Sequence, residues 1–184
     1  MDQRTIVEER AKNVAIMDVF SKLVQERIIF IDDVIDNELA DGVIAQMLYL
    51  DSINNEPISI YINTPGGSVY DGLAIYDVAQ LIESPIKTVC IGMAASMGAI
   101  LMLMGAERCA TKHSRIMLHQ PSNIACGTAD EIQIVHEEIQ KIKHELYDIV
   151  ENKTNLMDVE QLFKLDTWYT AEEALKCGLL TKIL

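Results

Sequence analysis

Short runs of β-branched residues alternate along this chain with stretches of helical periodicity, and that alternation restricts the fold more than any other feature. Arg27 to Ile31 (RIIFI), Ile58 to Ile62 (ISIYI) and Ile86 to Ile91 (IKTVCI) have the composition of buried strands. Between the first two, Leu39, Val43, Met47 and Leu50 share one face of a helix that Asp36 is placed to cap. Between the second and third, a helix is predicted from about Ser68 to Glu83, closed by Pro85. Upstream, Val14, Met17, Phe20, Leu23 and Val24 predict a helix over roughly 11–25. Downstream come helix formers from Ala99 to Met104, short strands near 107–111 and 115–119, and a last strand over 179–183. Repeated β-α-β units of this kind imply an α/β protein with a mostly parallel sheet and helices packed on it. No repeat, linker or low-complexity segment interrupts the pattern, so residues 1–184 are expected to form one domain.

The segment from Thr128 to about Asn152 departs from this rhythm. Its apolar positions Ile132, Val135, Ile139, Ile142, Leu146 and Ile149 form a heptad seam flanked by Glu and Lys. The helix would be about 37 Å long at ~1.5 Å per residue. Thr128 with Glu131 has the spacing of a capping box and sets its start. Such a narrow stripe needs a groove on its own sheet or a helix from another subunit.

Charge and cysteine usage remove several classes of function. A net charge of −13 without a basic run argues against nucleic acid and anionic membrane as partners. Cys90, Cys109, Cys126 and Cys177 are scattered, which suits free thiols in a reducing compartment and neither a disulfide framework nor a zinc site. The first residues carry acidic groups and no apolar core of a signal peptide, so a cytoplasmic location is expected. The uncharged run from Thr88 to Ala106 is long enough for a membrane helix, but its glycines and β-like first third fit a buried strand followed by a buried helix better.

Within that run, Gly92-Met93-Ala94-Ala95-Ser96-Met97-Gly98 sets a lone serine among small residues between strand and helix. Small neighbours admit a substrate backbone, and free N–H groups at the following helix can receive negative charge. A serine at such a place is either a nucleophile or part of a packing turn. His119 ends an apolar strand and is stopped by Gln120-Pro121, where α/β sites gather, whereas His113, His136 and His144 lie in polar surroundings. Gly66-Gly67, between another strand and helix, lets a main chain come close and can offer an N–H group. For a carboxylate to orient the histidine, Asp130, Asp148, Asp158 and Asp166 are all available, and spacing does not choose among them.

Taken together, the blocks Ile60-Tyr61-Ile62-Asn63-Thr64-Pro65-Gly66-Gly67-Ser68-Val69, Gly92 to Gly98, Met117-Leu118-His119-Gln120-Pro121 and Thr170-Ala171-Glu172-Glu173-Ala174 with Gly178 resemble the proteolytic subunits of the Clp protease, in that family's order and spacing from about Met17 to the end. The resemblance implies a crotonase-like fold of βαβ units with a protruding handle helix, matching about 128–152. It implies a serine endopeptidase in which Ser96 is the nucleophile, His119 the general base and Asp166 the orienting acid. Gly67 and Met97 match the positions whose backbone N–H groups form the oxyanion hole. It further implies heptameric rings stacked as a tetradecamer, and unfolded polypeptide delivered by a hexameric AAA+ unfoldase. No cofactor or metal is expected; ATP would be consumed by that partner.

The chain departs from the family pattern at three places. Asn123-Ile124 stand where the family carries Gly-Gly on its substrate-pairing strand, and Leu165 stands where an Arg commonly pairs between rings. The usual short tail beyond the last strand is missing, and the first dozen residues match poorly. These departures leave two other readings: a divergent paralogue with little activity alone, acting in a mixed ring with a second such subunit, and a crotonase-like acyl-CoA enzyme that uses the Gly67 and Met97 amides without covalent chemistry.

Overall fold

The computed structural model describes residues 5–10, 13–122 and 124–184, with side chains from Asp18 onward. Strands β1 (Thr5–Arg10) and β2 (Asn13–Asp18) form an antiparallel pair. They are followed by α1 (Val19–Gln25), β3 (Ile28–Ile31), α2 (Asn37–Ile53), β4 (Ile58–Thr64), α3 (Val69–Leu81), β5 (Ile86–Ala95) and α4 (Met97–Met102). The rest comprises β6 (Glu107–Ala110), β7 (Arg115–Leu118), α5 (Ala129–Lys153), α6 (Val159–Leu162), β8 (Thr167–Thr170), α7 (Ala171–Lys176) and β9 (Lys182–Ile183).

The helix predicted over 11–25 is corrected: only its second half is helical. Asn13 to Asp18 pair with Thr5 to Arg10 in strand register, while Ala11 and Lys12 lie outside the described residues. Asp18 is extended, and its carboxylate accepts from Ser21 N at 3.0 Å, so the helix starts at Val19. Val14 and Ile16 have the spacing of a strand as Val14 and Met17 have that of a helix, and pairing with β1 decides between them.

Elsewhere short-range side-chain caps set the helix starts, those at Asp36 and Thr128 as read. Asp36, Ser68, Thr128 and Thr170 each accept from the backbone N–H three residues on, and Thr128 and Thr170 form reciprocal capping boxes with Glu131 and Glu173. Alternation buries Ile58, Ile60 and Ile62 on one face of β4. With Ile29, Ile31, Met47, Ile75, Leu101 and Phe163, each at most 1% exposed, they belong to the apolar core that the helices close over the sheet.

The main sheet is mixed. Strands β3, β4, β5, β6 and β9 run parallel in that order, as the βαβ alternation requires. Strand β5 is the hinge of the architecture, because its first half pairs with β6 and its last residues, Met93 to Ala95, pair with β7. The register against β4 shifts after Ile62, and Gly92 has φ +89° at the bend. The Asn63 carboxamide oxygen accepts from Met93 N at 3.1 Å there, leaving no room for a side chain on Gly92. Strand β8, absent from the sequence reading, closes the far edge antiparallel to β7.

Two further boundaries move. The segment Gly92 to Ala95, read as turn, continues β5, and the helix after it begins at Met97 instead of Ala99. The run Thr88 to Ala106 is thereby divided between a strand and a short helix. Among the described residues, no helix is long and apolar enough to cross a membrane.

Candidate active site

Strand β5 ends at Ala95, and α4 begins two residues later, so the chain must reverse sharply at Ser96. Ser96 takes φ +55° and ψ −123°, a conformation that a side-chain-bearing residue adopts only under tertiary constraint, at a cost of roughly 1–3 kcal/mol. The constraint is visible on both sides. Ser96 N donates to Met117 O of β7 at 2.9 Å. On the other side Gly66 (φ +98°) lies so close that a Cβ there would stand 2.7 Å from both Ala95 O and Ser96 Cβ. Only glycine meets both demands at position 66.

Strand register then supplies the partners of Ser96. Ala95 is opposite Met117 in the parallel β5–β7 pair, which sets His119, two residues on, beside the serine. His119 Nε2 lies 2.8 Å from Ser96 Oγ. Leu118 is opposite Thr167 in the antiparallel β7–β8 pair, so the next residues outward, His119 and Asp166, face each other. Asp166 Oδ1 is 3.4 Å from His119 Nδ1. With Ser96 O–H donating to Nε2, the imidazole proton sits on Nδ1 and points at the carboxylate. Of the four carboxylates left open by spacing, Asp166 is the one paired with His119 among the described residues.

Two backbone amides border the same corner. Ile35 N donates to Gly66 O at 2.9 Å and Ser68 N donates to Ile35 O at 2.7 Å, so this parallel bridge does not use the N–H of Gly67. A Cβ on Gly67 would meet Ile35 O at 2.2 Å, which fixes glycine there too. Met97 is the first residue of α4, where an N–H has no helical acceptor. Gly66 brings the loop against it: its absent Cβ would be 3.0 Å from Met97 N. The structure therefore gathers all five residues singled out from the sequence.

A cavity of about 500 Å³ opens beside this corner. Gly67, Ser68 and Tyr70 form one wall, and Ile134, Val135 and Ile139 of α5 face them. The heptad seam is accordingly divided: Ile142 and Leu146 are buried in the chain's own core, whereas Ile132 is 42% exposed and Val135 and Ile139 border the cavity. Sequence periodicity could not see this split, because seam and groove share one spacing. His113, His136 and His144 are exposed, as their polar surroundings predict. Ile124 is 88% and Leu165 is 78% exposed; Asn123 lies outside the described residues.

No group of His, Cys, Asp and Glu side chains with the spacing to hold a metal ion occurs among the described residues. Burial pushes the Cys90 thiol up to about 11, so it stays protonated and inert inside β5.

Comparison with known proteins gives a consistent result. The sequence model of the Clp protease family matches residues 10–184. An ATP-dependent Clp protease proteolytic subunit of Bacteroides thetaiotaomicron is 48% identical over 185 residues, covering 97% of this chain and 84% of that protein. The subunit of the same description from Porphyromonas gingivalis is also 48% identical, over 186 residues, covering 98% of this chain and 83% of that protein. From Salinibacter ruber, an ATP-dependent Clp protease proteolytic subunit 1 is 39% identical over 184 residues, covering 97% of this chain and 79% of that protein.

Proposed function

The chain belongs to the Clp protease family, and we propose that it is a serine endopeptidase subunit in which Ser96, His119 and Asp166 act as the catalytic triad. The observation that carries this reading is the unbroken line of contacts from Ser96 Oγ to His119 Nε2 (2.8 Å) and from His119 Nδ1 to Asp166 Oδ1 (3.4 Å), at a serine held in a strained turn.

In this mechanism His119 removes the Ser96 proton as Oγ attacks the scissile carbonyl carbon. Negative charge develops on the carbonyl oxygen and is received by the N–H groups of Gly67 and Met97. His119, now protonated and stabilised by Asp166, gives its proton to the leaving amine, and an acyl-enzyme on Ser96 remains. Water, deprotonated by His119, attacks that ester and returns the serine. The cavity beside Gly67 is suited to hold a substrate side chain, since four of the α5 residues that line it are aliphatic, with Glu138 the one charged group among them.

The same reading takes residues 1–184 as one domain of the crotonase-like type, assembled into stacked heptameric rings that receive unfolded polypeptide from a hexameric AAA+ unfoldase. The half of the α5 seam that the chain's own core does not bury supports contact with another subunit. A second reading, a subunit of a mixed ring with little activity alone, rests on Leu165, which stands beside Asp166 at the position of the family's ring-pairing Arg and is 78% exposed.

Incubation of the purified protein with a fluorophosphonate probe, followed by peptide mapping, tests the proposal. A single adduct on Ser96, absent in Ser96→Ala, is the expected result, together with hydrolysis of a fluorogenic peptide. A folded protein that forms no adduct would reject the homomeric enzyme. Labelling only after mixing with a second proteolytic subunit would select the mixed ring.

A further inference from the structure

Asp166 is held in place by very little of its own. It lies between α6 and β8, with Lys164 and Leu165 exposed before it and its own side chain 65% exposed. A carboxylate in such a stretch would sample many positions unless the backbone beneath it were tied down. Phe163, 1% exposed, anchors the near end: its ring packs edge-on to Tyr147 at 4.8 Å, and its carbonyl accepts from Gln120 N at 2.8 Å. The pairing of Thr167 with Leu118 anchors the far end. Across the gap reaches the side chain of Thr167. Thr167 Oγ1 lies 2.9 Å from Leu162 O, at the end of α6, and 3.2 Å from Leu165 O, just before the aspartate.

We infer that Thr167 is a positioning residue for the site, its hydroxyl closing the 162–167 turn so that the Asp166 carboxylate stays over His119 Nδ1. This rests on the peptidase reading above for its consequence in catalysis, but not for its consequence in geometry. The hydroxyl satisfies a helix-terminal carbonyl to which no other group among the described residues donates. It also shortens the free chain on which Asp166 moves. Valine has the same shape and strand preference but cannot donate, so Thr167→Val opens the turn while β8 keeps its pairing.

The test combines kinetics and crystallography on Thr167→Val and Thr167→Ser, with Asp166→Asn and the Asp166→Asn/Thr167→Val double variant. Thr167→Val is expected to lower kcat by about 10- to 100-fold at unchanged KM, the scale of an ångström-level misplacement. Thr167→Ser should restore kcat. The double variant should be no slower than Asp166→Asn alone, because Thr167 acts through the carboxylate. Crystals of Thr167→Val should show Asp166 withdrawn from His119. Wild-type kcat in Thr167→Val, an additive loss in the double variant, or an unmoved Asp166–His119 distance would each overturn the inference. A wild-type protein without Ser96-dependent hydrolysis would reject the peptidase reading instead, and the crystallographic distance would then decide the role of Thr167.

Discussion

Gly66→Ala offers a quantitative test of how the site is built. An alanine Cβ at this position would stand 2.7 Å from Ser96 Cβ and from Ala95 O, where ordinary contact begins at 3.4 Å. Neither neighbour is a flexible side-chain end, so the serine elbow as a whole must move by about 0.7 Å. A shift of that size directed away from His119 would stretch the 2.8 Å hydrogen bond to as much as about 3.5 Å, beyond effective proton transfer. Left-handed φ at a non-glycine residue adds about 1–2 kcal/mol to the cost of folding. The expected outcome is a fall of about 100-fold in kcat/KM for peptide hydrolysis, and a matching fall in the rate of fluorophosphonate labelling. Thermal unfolding should show a protein still folded, with a modestly lowered Tm. Gly42→Ala is the matched control. Gly42 lies inside α2, and a Cβ there would have nothing within 4 Å, so alanine should leave the rates alone and add up to about 1 kcal/mol of helix stability. If Gly66→Ala turned over at the wild-type rate, the claim that glycine is needed to seat Ser96, the proposed nucleophile, would be refuted.

Three more outcomes follow from the same geometry. Asp166→Asn should cut kcat by about 10⁴-fold, because the imidazole loses its tautomer, while the exposure of this side chain predicts an unchanged Tm; near-normal turnover would give the orienting role to another carboxylate. Ile132→Glu, on the open half of the seam, should lower the sedimentation coefficient without moving Tm at low concentration, whereas a charge at the buried Ile142 should unfold the chain; an unchanged coefficient for Ile132→Glu would remove this face from assembly. The Glu131 and Glu173 carboxyls are held below the usual range by bonds from the backbone N–H and hydroxyl of Thr128 and Thr170. A depressed folded-state value means their contribution is complete above about pH 4.3 and is lost as pH falls through that lowered value, so Tm measured against pH should decline less steeply in Glu131→Gln/Glu173→Gln.

Much of the fold is legible because its signals are short-ranged. A cap needs only three residues of chain, and a buried strand needs only its own β-branched run. Asp36 and Thr128 therefore cap as read, and the runs at 28–31 and 58–62 form strands. The helix expected over 11–25 fails in its first half because Val14 and Ile16 fit the period of a strand as Val14 and Met17 fit that of a helix. The choice there depends on a partner strand, not on local propensity. Strand β8 is invisible for a similar reason: Thr167-Trp168-Tyr169-Thr170 is short, half exposed, and pairs only at an edge.

Local sequence was enough to establish the alternating elements, the serine between strand and helix, the histidine at a strand end and the paired glycines. Spacing alone left four aspartates open, and only the family resemblance named Asp166. The contact itself exists because β8 closes antiparallel on β7 and sets Thr167 opposite Leu118, which brings Asp166 to His119. Tertiary packing also turned one half of the α5 seam into core and left the other half beside the cavity. Propensities and caps act over a few residues of chain, whereas a site is defined by distances across strands far apart in sequence. Those distances exist only once pairing register is set.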